Sequence, residues 1–200
     1  MAIKNIIFDF GGVLIDWNPR YFYKDVFSDI SEMEYFLSKV WSPEWNMKHD
    51  AGFSFSEITR ELLELHPKYG KEIEMYQYNW ELMIKGKISE NTELLNPLKS
   101  KYRLFGLTNW SAEAFPVICP KYEFFKVFEG IIVSGEEKVV KPGKEIYQLL
   151  LKRYDLLANE SLFIDDSLKN IETANELGFS TIQINGTQSL KQILLSRGLI

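Results

Sequence analysis

Short apolar runs recur along the chain, and each one stops at a glycine or at a cluster of polar residues. Five of them have the length and composition of buried strands. These runs are Ile3–Phe10, Arg103–Thr108, Gly130–Ser134, Ser161–Asp165 and Ser180–Ile184. Brief, nearly continuous apolar runs are typical of strands that are covered on both faces, as in a parallel sheet.

Segments with helical spacing of apolar residues alternate with the later runs. In KPGKEIYQLLLKRY, Ile146, Leu149 and Leu150 fall on one face, and Pro142 suits the first turn of the helix. In SLKNIETANELG, a second apolar face ends at Gly178, which suits a helix C-terminal cap. This alternation predicts an α/β fold with a Rossmann-like, doubly wound parallel sheet.

The stretch between the first and second predicted strands has a different pattern. It contains no convincing strand and reads as three helical segments, SEMEYFLSKVW, SFSEITRELLELH and KEIEMYQYNWELMIKG. Ser54 and Glu57 have the spacing of a capping box at the start of the second segment. We therefore expect an α/β core of residues 1–15 and 89–200, with an all-helical cap of residues 16–88 inserted after the first strand.

Composition narrows the classes of function. The chain has 200 residues, of which 46% are hydrophobic and 26% charged, as in an ordinary globular protein. Its net charge of -5 argues against nucleic acid or an anionic membrane as a partner. The single cysteine, Cys119, rules out an internal disulfide and fits a reducing compartment. With no apolar stretch near ~20 residues and no signal-peptide pattern, we expect a cytoplasmic protein of open oligomeric state.

Polar side chains suited to phosphate chemistry follow four of the predicted strands. They are Asp9, Thr108 with Asn109, Lys141, and Asp165 with Asp166. Because ligands of open α/β sheets bind beyond the carboxyl ends of the strands, we expect these groups to meet. Asp9, Asp166 and the carbonyl of residue 11 offer the oxygen ligands that Mg²⁺ prefers. Thr108 and Lys141 would stabilise the charge of a phosphoryl group.

Taken in order, FDFGGVL, LTN, KP and IDDSLKNI resemble the four motifs of the haloacid dehalogenase-like (HAD) hydrolase superfamily. The resemblance covers essentially the whole chain, and the inserted segment is similar to the helical cap of many members. It implies that Asp9 is the nucleophile and forms an aspartyl-phosphate. It also implies that Thr108 binds the transferring phosphoryl group, that Asn109 sits beside it, and that Lys141 holds both nucleophile and phosphate.

The resemblance further implies a magnesium site. Asp9, the main-chain carbonyl of Gly11 and Asp166 match its ligands, and Asp165 stands where glycine is usual and could bind the metal through water. Asn170 falls where a second carboxylate often sits, and it could orient Lys141 or a metal-bound water.

Position 11 departs from the pattern of the phosphatase members. In those enzymes the residue two after the nucleophile protonates the leaving alcohol and then activates water, whereas Gly11 can do neither. General acid–base assistance of this kind is worth ~10² to 10⁴ in rate. Asp16 is near enough in sequence to be a substitute acid, but we expect it instead to cap a helix that begins near Asn18 and Pro19.

Three functions therefore remain open. The first is a Mg²⁺-dependent phosphatase that acts on a small phosphorylated metabolite and favours good leaving groups. The second is a metal-independent 2-haloacid dehalogenase, since halide leaves without a proton. The third is a weakly active or non-catalytic binding protein of the same fold. We rank the phosphatase first because, without a cation, the pair Asp165–Asp166 would be costly beside a carboxylate nucleophile.

Cap residues are the candidates for substrate contacts. Trp17 and Trp110 directly follow motif residues, and we expect them to line the pocket entrance and bind substrate. Trp41 and Trp80 lie in amphipathic helical segments and are expected in the core of the cap. His49 is a candidate contact for an anionic substrate, although exposure to solvent is the simpler expectation.

Overall fold

The computed structural model describes residues 2–200 and has an α/β architecture. The strands are β1 (Asn5–Phe8), β2 (Ile15–Trp17), β3 (Ile84–Lys87), β4 (Arg103–Thr108), β5 (Gly130–Val133), β6 (Ser161–Asp165) and β7 (Ser180–Gln183). Five of them form a parallel sheet in the spatial order β5–β4–β1–β6–β7. These five are the strands that the sequence predicts, and their ends differ from the prediction by at most two residues.

Helices connect the strands and form the insertion. They are α1 (Arg20–Tyr23), α2 (Ile30–Tyr35), α3 (Pro43–Asp50), α4 (Phe55–Leu65), α5 (Gly70–Asn79), α6 (Ser89–Thr92), α7 (Leu95–Lys99), α8 (Phe115–Ile118), α9 (Ser134–Glu137), α10 (Lys144–Tyr154), α11 (Leu168–Glu176) and α12 (Leu190–Ser196). Within residues 2–200, no helix is both long enough and apolar enough to cross a membrane.

The central strand β1 is buried on both faces. Ile6 and Phe8 belong to one hydrophobic cluster, which includes residues of α7 and α12. Ile7 points to the opposite face and belongs to a second cluster, with residues of α10 and α11. Since successive side chains of a strand alternate between faces, helices on both sides of the sheet require this near-continuous apolar sequence. The prediction of a doubly wound sheet is confirmed.

Helices α1–α5 all lie between β2 and β3 and pack around a hydrophobic cluster of their own. The side chains of Tyr23, Phe36 and Leu62 in this cluster are fully buried. The expected capping box is present at α4: the Ser54 hydroxyl accepts the Glu57 N–H, and the Glu57 carboxylate accepts the Ser54 N–H. The capping box thus provides hydrogen-bond acceptors for two backbone N–H groups that the start of the helix would otherwise leave without partners.

Two local expectations are wrong. The segment of residues 16–88 is not purely helical, because β2 and β3 form an antiparallel pair at its two ends. Strands of three and four residues are too short to show a period in the sequence. Pro142 is not in the first turn of α10, since that helix begins at Lys144. The Gly178 cap is confirmed, with a φ of +90° directly after the end of α11.

Candidate active site

Strand order brings the predicted polar residues together. β1 lies between β4 and β6, so the three carboxyl ends are neighbours at the middle of the sheet. Asp9 follows β1 directly, Thr108 ends β4 and Asp165 ends β6. Lys141 reaches the same place from the loop between α9 and α10.

Lys141 is the centre of a buried ionic cluster. Its Nζ lies 2.9 Å from Asp9 Oδ1 and 2.7 Å from Asp165 Oδ2, and the residue is 1% exposed. Burial lowers the pKa of Lys141, but the charges of Asp9 and Asp165 outweigh burial and hold that pKa above its ordinary value. For Asp9, burial raises the pKa to about 7 against the opposing charge of Lys141, and Asp165 raises it further.

Asn109 fixes the main chain of Lys141 at both of its polar groups. The Asn109 Oδ1 accepts the Lys141 N–H at 2.9 Å, and its Nδ2 donates to the Lys141 carbonyl at 2.9 Å. The amide is therefore fully engaged in placing the lysine. A contact of Asn109 with a phosphoryl group would have to come from its main chain.

Asp165 is buried and has all of its acceptor directions occupied. Oδ2 accepts from Lys141 Nζ and from Asn170 Nδ2, the latter at 3.1 Å. Oδ1 accepts from Asn170 Nδ2 at 3.0 Å and from the Ser167 N–H at 2.8 Å. Each carboxylate oxygen offers about two lone-pair directions, so these four contacts, from three donor groups, occupy the side chain. Asn170 thus orients Lys141 through Asp165.

The acidic residues form a group that suits a hard cation. One carboxylate oxygen from each of Asp9, Asp165 and Asp166 lies within 4.8 Å of the other two. Three carboxylates face the single ammonium of Lys141, and oxygen donors are those that Mg²⁺ prefers. The buried hydroxyl Oγ1 of Thr108 also has no hydrogen-bond partner among residues 2–200, which leaves a donor for a ligand. The donor set therefore fits Mg²⁺ with a phosphoryl group.

Gly12 is a feature of this site that the sequence reasoning missed. Its φ is +69°, and a Cβ at this position would lie 2.4 Å from Asp166 Oδ2. Glycine is thus favoured by the backbone conformation, and any larger residue would displace the Asp166 carboxylate from its position. In the sequence, the second glycine of FDFGGVL is the signal that points to this position. At Gly11, in contrast, an added Cβ would meet nothing within 4 Å.

A cavity of about 510 Å³ lies between the insertion and the carboxyl end of the sheet, where Gly11 and Asn109 line it. Trp17 and Trp110, the two predicted pocket residues, both line it. So do Trp41 and Trp80, although Trp41 also lies in the hydrophobic cluster of the insertion, as expected. The remaining lining is mainly apolar and includes Leu37, Met47, Phe55, Tyr76, Ile84 and Ala114.

The last two residues of α3, His49 and Asp50, also line the cavity. His49 is 5% exposed, which contradicts the expected solvent exposure, and its ring lies 3.9 Å from that of Phe55. Burial lowers the pKa of His49 to about 4, against the opposing charge of Glu113. Burial raises the pKa of Asp50 to about 7; the charge of Asp9 adds to the effect and that of Lys141 opposes it. No sequence motif marks Asp50, and we had not identified it.

Asp16 does not cap a helix, contrary to expectation. It lies in β2, and its Oδ1 accepts the Tyr21 hydroxyl at 2.8 Å. The neighbouring Asn18 takes the expected role, since its Oδ1 accepts the Arg20 N–H at 3.0 Å at the start of α1. Asn18 lies between the end of β2 and Pro19. At such a position an Asx side chain can accept the main-chain N–H of the residue two positions later, here Arg20.

Comparison with known proteins places this geometry in a family. The family model for haloacid dehalogenase-like hydrolases matches residues 3–178. The chain is 27% identical to the sesquiterpene phosphatase astK of Aspergillus oryzae, over 100% of this chain and 97% of that protein. It is 25% identical to the D-ribitol-5-phosphate phosphatase of Bacteroides thetaiotaomicron, over 90% and 91%.

Solved structures agree with these relatives. A HAD family enzyme from Bacteroides thetaiotaomicron, in complex with magnesium and inorganic phosphate, superposes with a TM-score of 0.73. The two are 26% identical, and the match covers 96% of this chain and 99% of that one.

Proposed function

The chain belongs to the haloacid dehalogenase-like hydrolase family, and we propose that it is a magnesium-dependent phosphatase acting through an aspartyl-phosphate on Asp9. The observation that carries this proposal is the ionic cluster of Asp9, Lys141 and Asp165 beside the partnerless hydroxyl of Thr108. The two full-length relatives that are phosphatases support phosphate over halide as the group released.

We propose that Asp9, the carbonyl of Gly11 and Asp166 hold the magnesium ion. Asp165 accepts four hydrogen bonds from Lys141, Ser167 and Asn170, so its role is to hold Lys141 in place rather than to bind metal directly. When bound, Mg²⁺ would supply positive charge to the phosphoryl oxygens and to the nucleophile.

Asp9 presents one oxygen for attack. Its Oδ1 accepts the Phe10 N–H at 2.7 Å and lies 2.9 Å from Lys141 Nζ. Oδ2 accepts no hydrogen bond from any part of the chain that the structure describes. In the first step an Asp9 oxygen bonds to phosphorus and the ester oxygen leaves. In the second step water attacks the phosphorus and Asp9 is released. Thr108 and Lys141 stabilise the phosphoryl oxygens in both steps.

The helical insertion, residues 16–88, would act as a cap over a core of residues 1–15 and 89–200. Its own hydrophobic cluster and the cavity beneath it support this division. A closed cap excludes water while the phosphoryl group transfers.

The cavity lining supports an apolar alcohol as the leaving part of the substrate. Several of its polar side chains are already engaged: Trp41 Nε1 and the Tyr76 hydroxyl both donate to Asn46 Oδ1, at 2.9 and 2.8 Å. Arg20 is paired with Glu34, outside the lining. His49 Nε2 and the Asp50 carboxyl remain to bind hydroxyls, a small number for a sugar or polyol, whereas aromatic walls suit hydrocarbon. Of the two phosphatase relatives, this favours a terpenoid-like over a polyol-like substrate.

Release of phosphate and halide from a substrate panel tests the proposal. The panel contains prenyl and benzyl phosphates, ribitol 5-phosphate and 2-haloacids, each assayed with Mg²⁺ or with EDTA. We expect metal-dependent phosphate release with the highest kcat/KM on the apolar esters. Metal-independent halide release would establish the dehalogenase instead, and preference for ribitol 5-phosphate would overturn the apolar specificity. Release of neither product would favour a binding role.

A further inference from the structure

The space beside residue 11 is open, and a carboxyl group from the insertion shares it. Nothing lies within 4 Å of where a Cβ at Gly11 would be. Gly11 and Asp50 line the same cavity, although they are 39 positions apart in the sequence and belong to different layers of the fold. Among the described residues of this lining, Asp50 carries the only carboxyl group.

The end of α3 is held on the core by its main chain. The Asp50 carbonyl accepts the Ser134 hydroxyl at 2.7 Å, and the same hydroxyl accepts the Trp110 N–H at 2.9 Å. Gly52 fits closely here, because a Cβ on it would lie 2.8 Å from the Gly135 carbonyl. These contacts use only the backbone of Asp50.

The side chain of Asp50 is left for the cavity. Its carboxyl makes no hydrogen bond or ion pair within residues 2–200, although the residue is half-buried. A half-buried carboxyl group without a fixed partner holds its proton to a higher pH than an exposed one. A group that exchanges a proton near neutrality is suited to general acid–base catalysis.

We propose that Asp50 protonates the leaving alcohol and then deprotonates the attacking water, in the role that a carboxylate at residue 11 would otherwise fill. As the P–O bond of the ester breaks, the Asp50 proton passes to the alcohol oxygen and leaves a carboxylate. That carboxylate takes a proton from water as the water oxygen bonds to phosphorus and the bond from phosphorus to Asp9 breaks. The products are the alcohol and inorganic phosphate, and Asp50 ends protonated as it began.

This inference rests on the proposed phosphatase activity, and it changes the expected substrate range. Without an acid, the enzyme would favour esters whose alcohol leaves as a stable anion. With Asp50 as the acid, alkyl phosphates become accessible as well. An apolar cavity and a proton donor at its inner end are both what an alkyl phosphate requires.

Two esters of similar size and different leaving group separate the outcomes. The esters are 4-nitrophenyl phosphate and benzyl phosphate. The nitrophenolate leaves as a stable anion without a proton, whereas the benzyl alcohol needs one to leave. For Asp50→Asn we expect kcat/KM, which reports the phosphoryl transfer to Asp9 and not the later attack of water, to fall ~10²- to 10⁴-fold on benzyl phosphate, the usual worth of a general acid, and less than ~10-fold on the nitrophenyl ester. Asp25→Asn, a change of an exposed aspartate on the insertion, is the matched control and should leave both rates unchanged.

A carboxyl group introduced at residue 11 provides a second test of the role of Asp50. In the Asp50→Asn background, Gly11→Asp should restore much of the benzyl phosphate rate, because the open space beside Gly11 admits the new carboxyl. In the wild-type background the same change should add little.

Equal losses of kcat/KM on both esters, or no loss, would overturn the role of Asp50 as the acid. A wild-type protein that hydrolyses neither ester would overturn the phosphatase itself. If Asp50→Asn does not fold by circular dichroism, Asp50→Ser provides the same comparison.

Discussion

The carboxyl edge of the sheet and the helical insertion face each other across one cavity, and they are built from opposite kinds of side chain. At the sheet edge, Asp9, Lys141 and Asp165 are buried charges that hold one another within 3 Å. On the insertion side the walls are mainly aromatic and aliphatic, and the carboxyl of Asp50 is unpaired among the described residues. Under the proposed function, the edge would bind the phosphoryl group of any ester, and the insertion would select what is attached to it.

Removing the proposed nucleophile, Asp9, is the most severe test of the sheet edge. We expect Asp9→Asn to lower phosphatase kcat by at least ~10³, because the amide oxygen is too weak a nucleophile to form the acyl phosphate. The fold should survive, since Lys141 keeps its ion pair with Asp165. Steady-state kinetics and circular dichroism check this. Retained phosphate release by a folded variant would remove Asp9 from the mechanism.

Lys141 is a buried cation at the sheet edge, and Arg20 is an exposed cation on the insertion. Substituting each one compares their contributions to the free energy of unfolding. Lys141→Met leaves two carboxylates without their partner, and we expect it to cost about 3–5 kcal/mol in the free energy of unfolding. Arg20→Met breaks a half-exposed pair with Glu34 and should cost ~1 kcal/mol or less. Urea denaturation gives both values.

The pH dependence of the Lys141→Met deficit adds a check. The difference in the free energy of unfolding between the wild type and Lys141→Met should become smaller as the pH falls. Asp9 then takes up a proton and no longer needs a cation beside it. Equal costs for the lysine and arginine variants would mean that the buried cluster contributes no more than a surface pair.

The two glycines after Asp9 offer a matched pair within the metal site. Gly12→Ala would place a methyl group 2.4 Å from Asp166 Oδ2 and force a left-handed φ on alanine, whereas Gly11→Ala meets nothing within 4 Å. We expect the first to weaken Mg²⁺ binding ~10- to 100-fold, as displaced supporting groups of metal sites do, and the second to leave it unchanged. Calorimetric titration of the protein with MgCl₂ measures both. Equal affinities would argue against Asp166 as a ligand.

The two sides also differ in how far the sequence predicts them. The sequence predicts that Asp9, Lys141 and Asp166 lie together, because parallel strands bring their carboxyl ends and the loops that follow them to one edge. The same reasoning does not predict the positions of Asp50 and His49. Their place over the cavity depends on how α3 docks through Ser134 and Gly52, which no periodicity reports.

Trp110 tests the aromatic wall of the cavity as the source of specificity. It lies in the core, two residues after β4, and lines the cavity, whereas Trp45, on α3 of the insertion, does not. Trp110→Ala should raise KM for prenyl or benzyl phosphate by roughly 5- to 50-fold, as lost contact with an aromatic ring predicts, and leave kcat on acetyl phosphate nearly unchanged. Trp45→Ala is the control. A similar effect of both variants, or of Trp110→Ala on every ester, would indicate a general loss of structure.

His49 provides the smallest expected effect, and it concerns stability rather than activity. Burial lowers its pKa to about 4 from an ordinary value of 6.5, so the unfolded chain binds a proton in this range that the folded protein does not. Stability conferred by the neutral ring is therefore complete above about pH 6.5 and is lost as the pH falls towards 4.

His49→Phe keeps a ring against Phe55 and removes the titration. Relative to this variant, the wild type should lose on the order of 1–3 kcal/mol between pH 6.5 and 4, measured by urea denaturation at each pH. His66 is retained in both proteins, so parallel curves would mean that the buried ring of His49 accepts a proton as readily as it does in the unfolded chain.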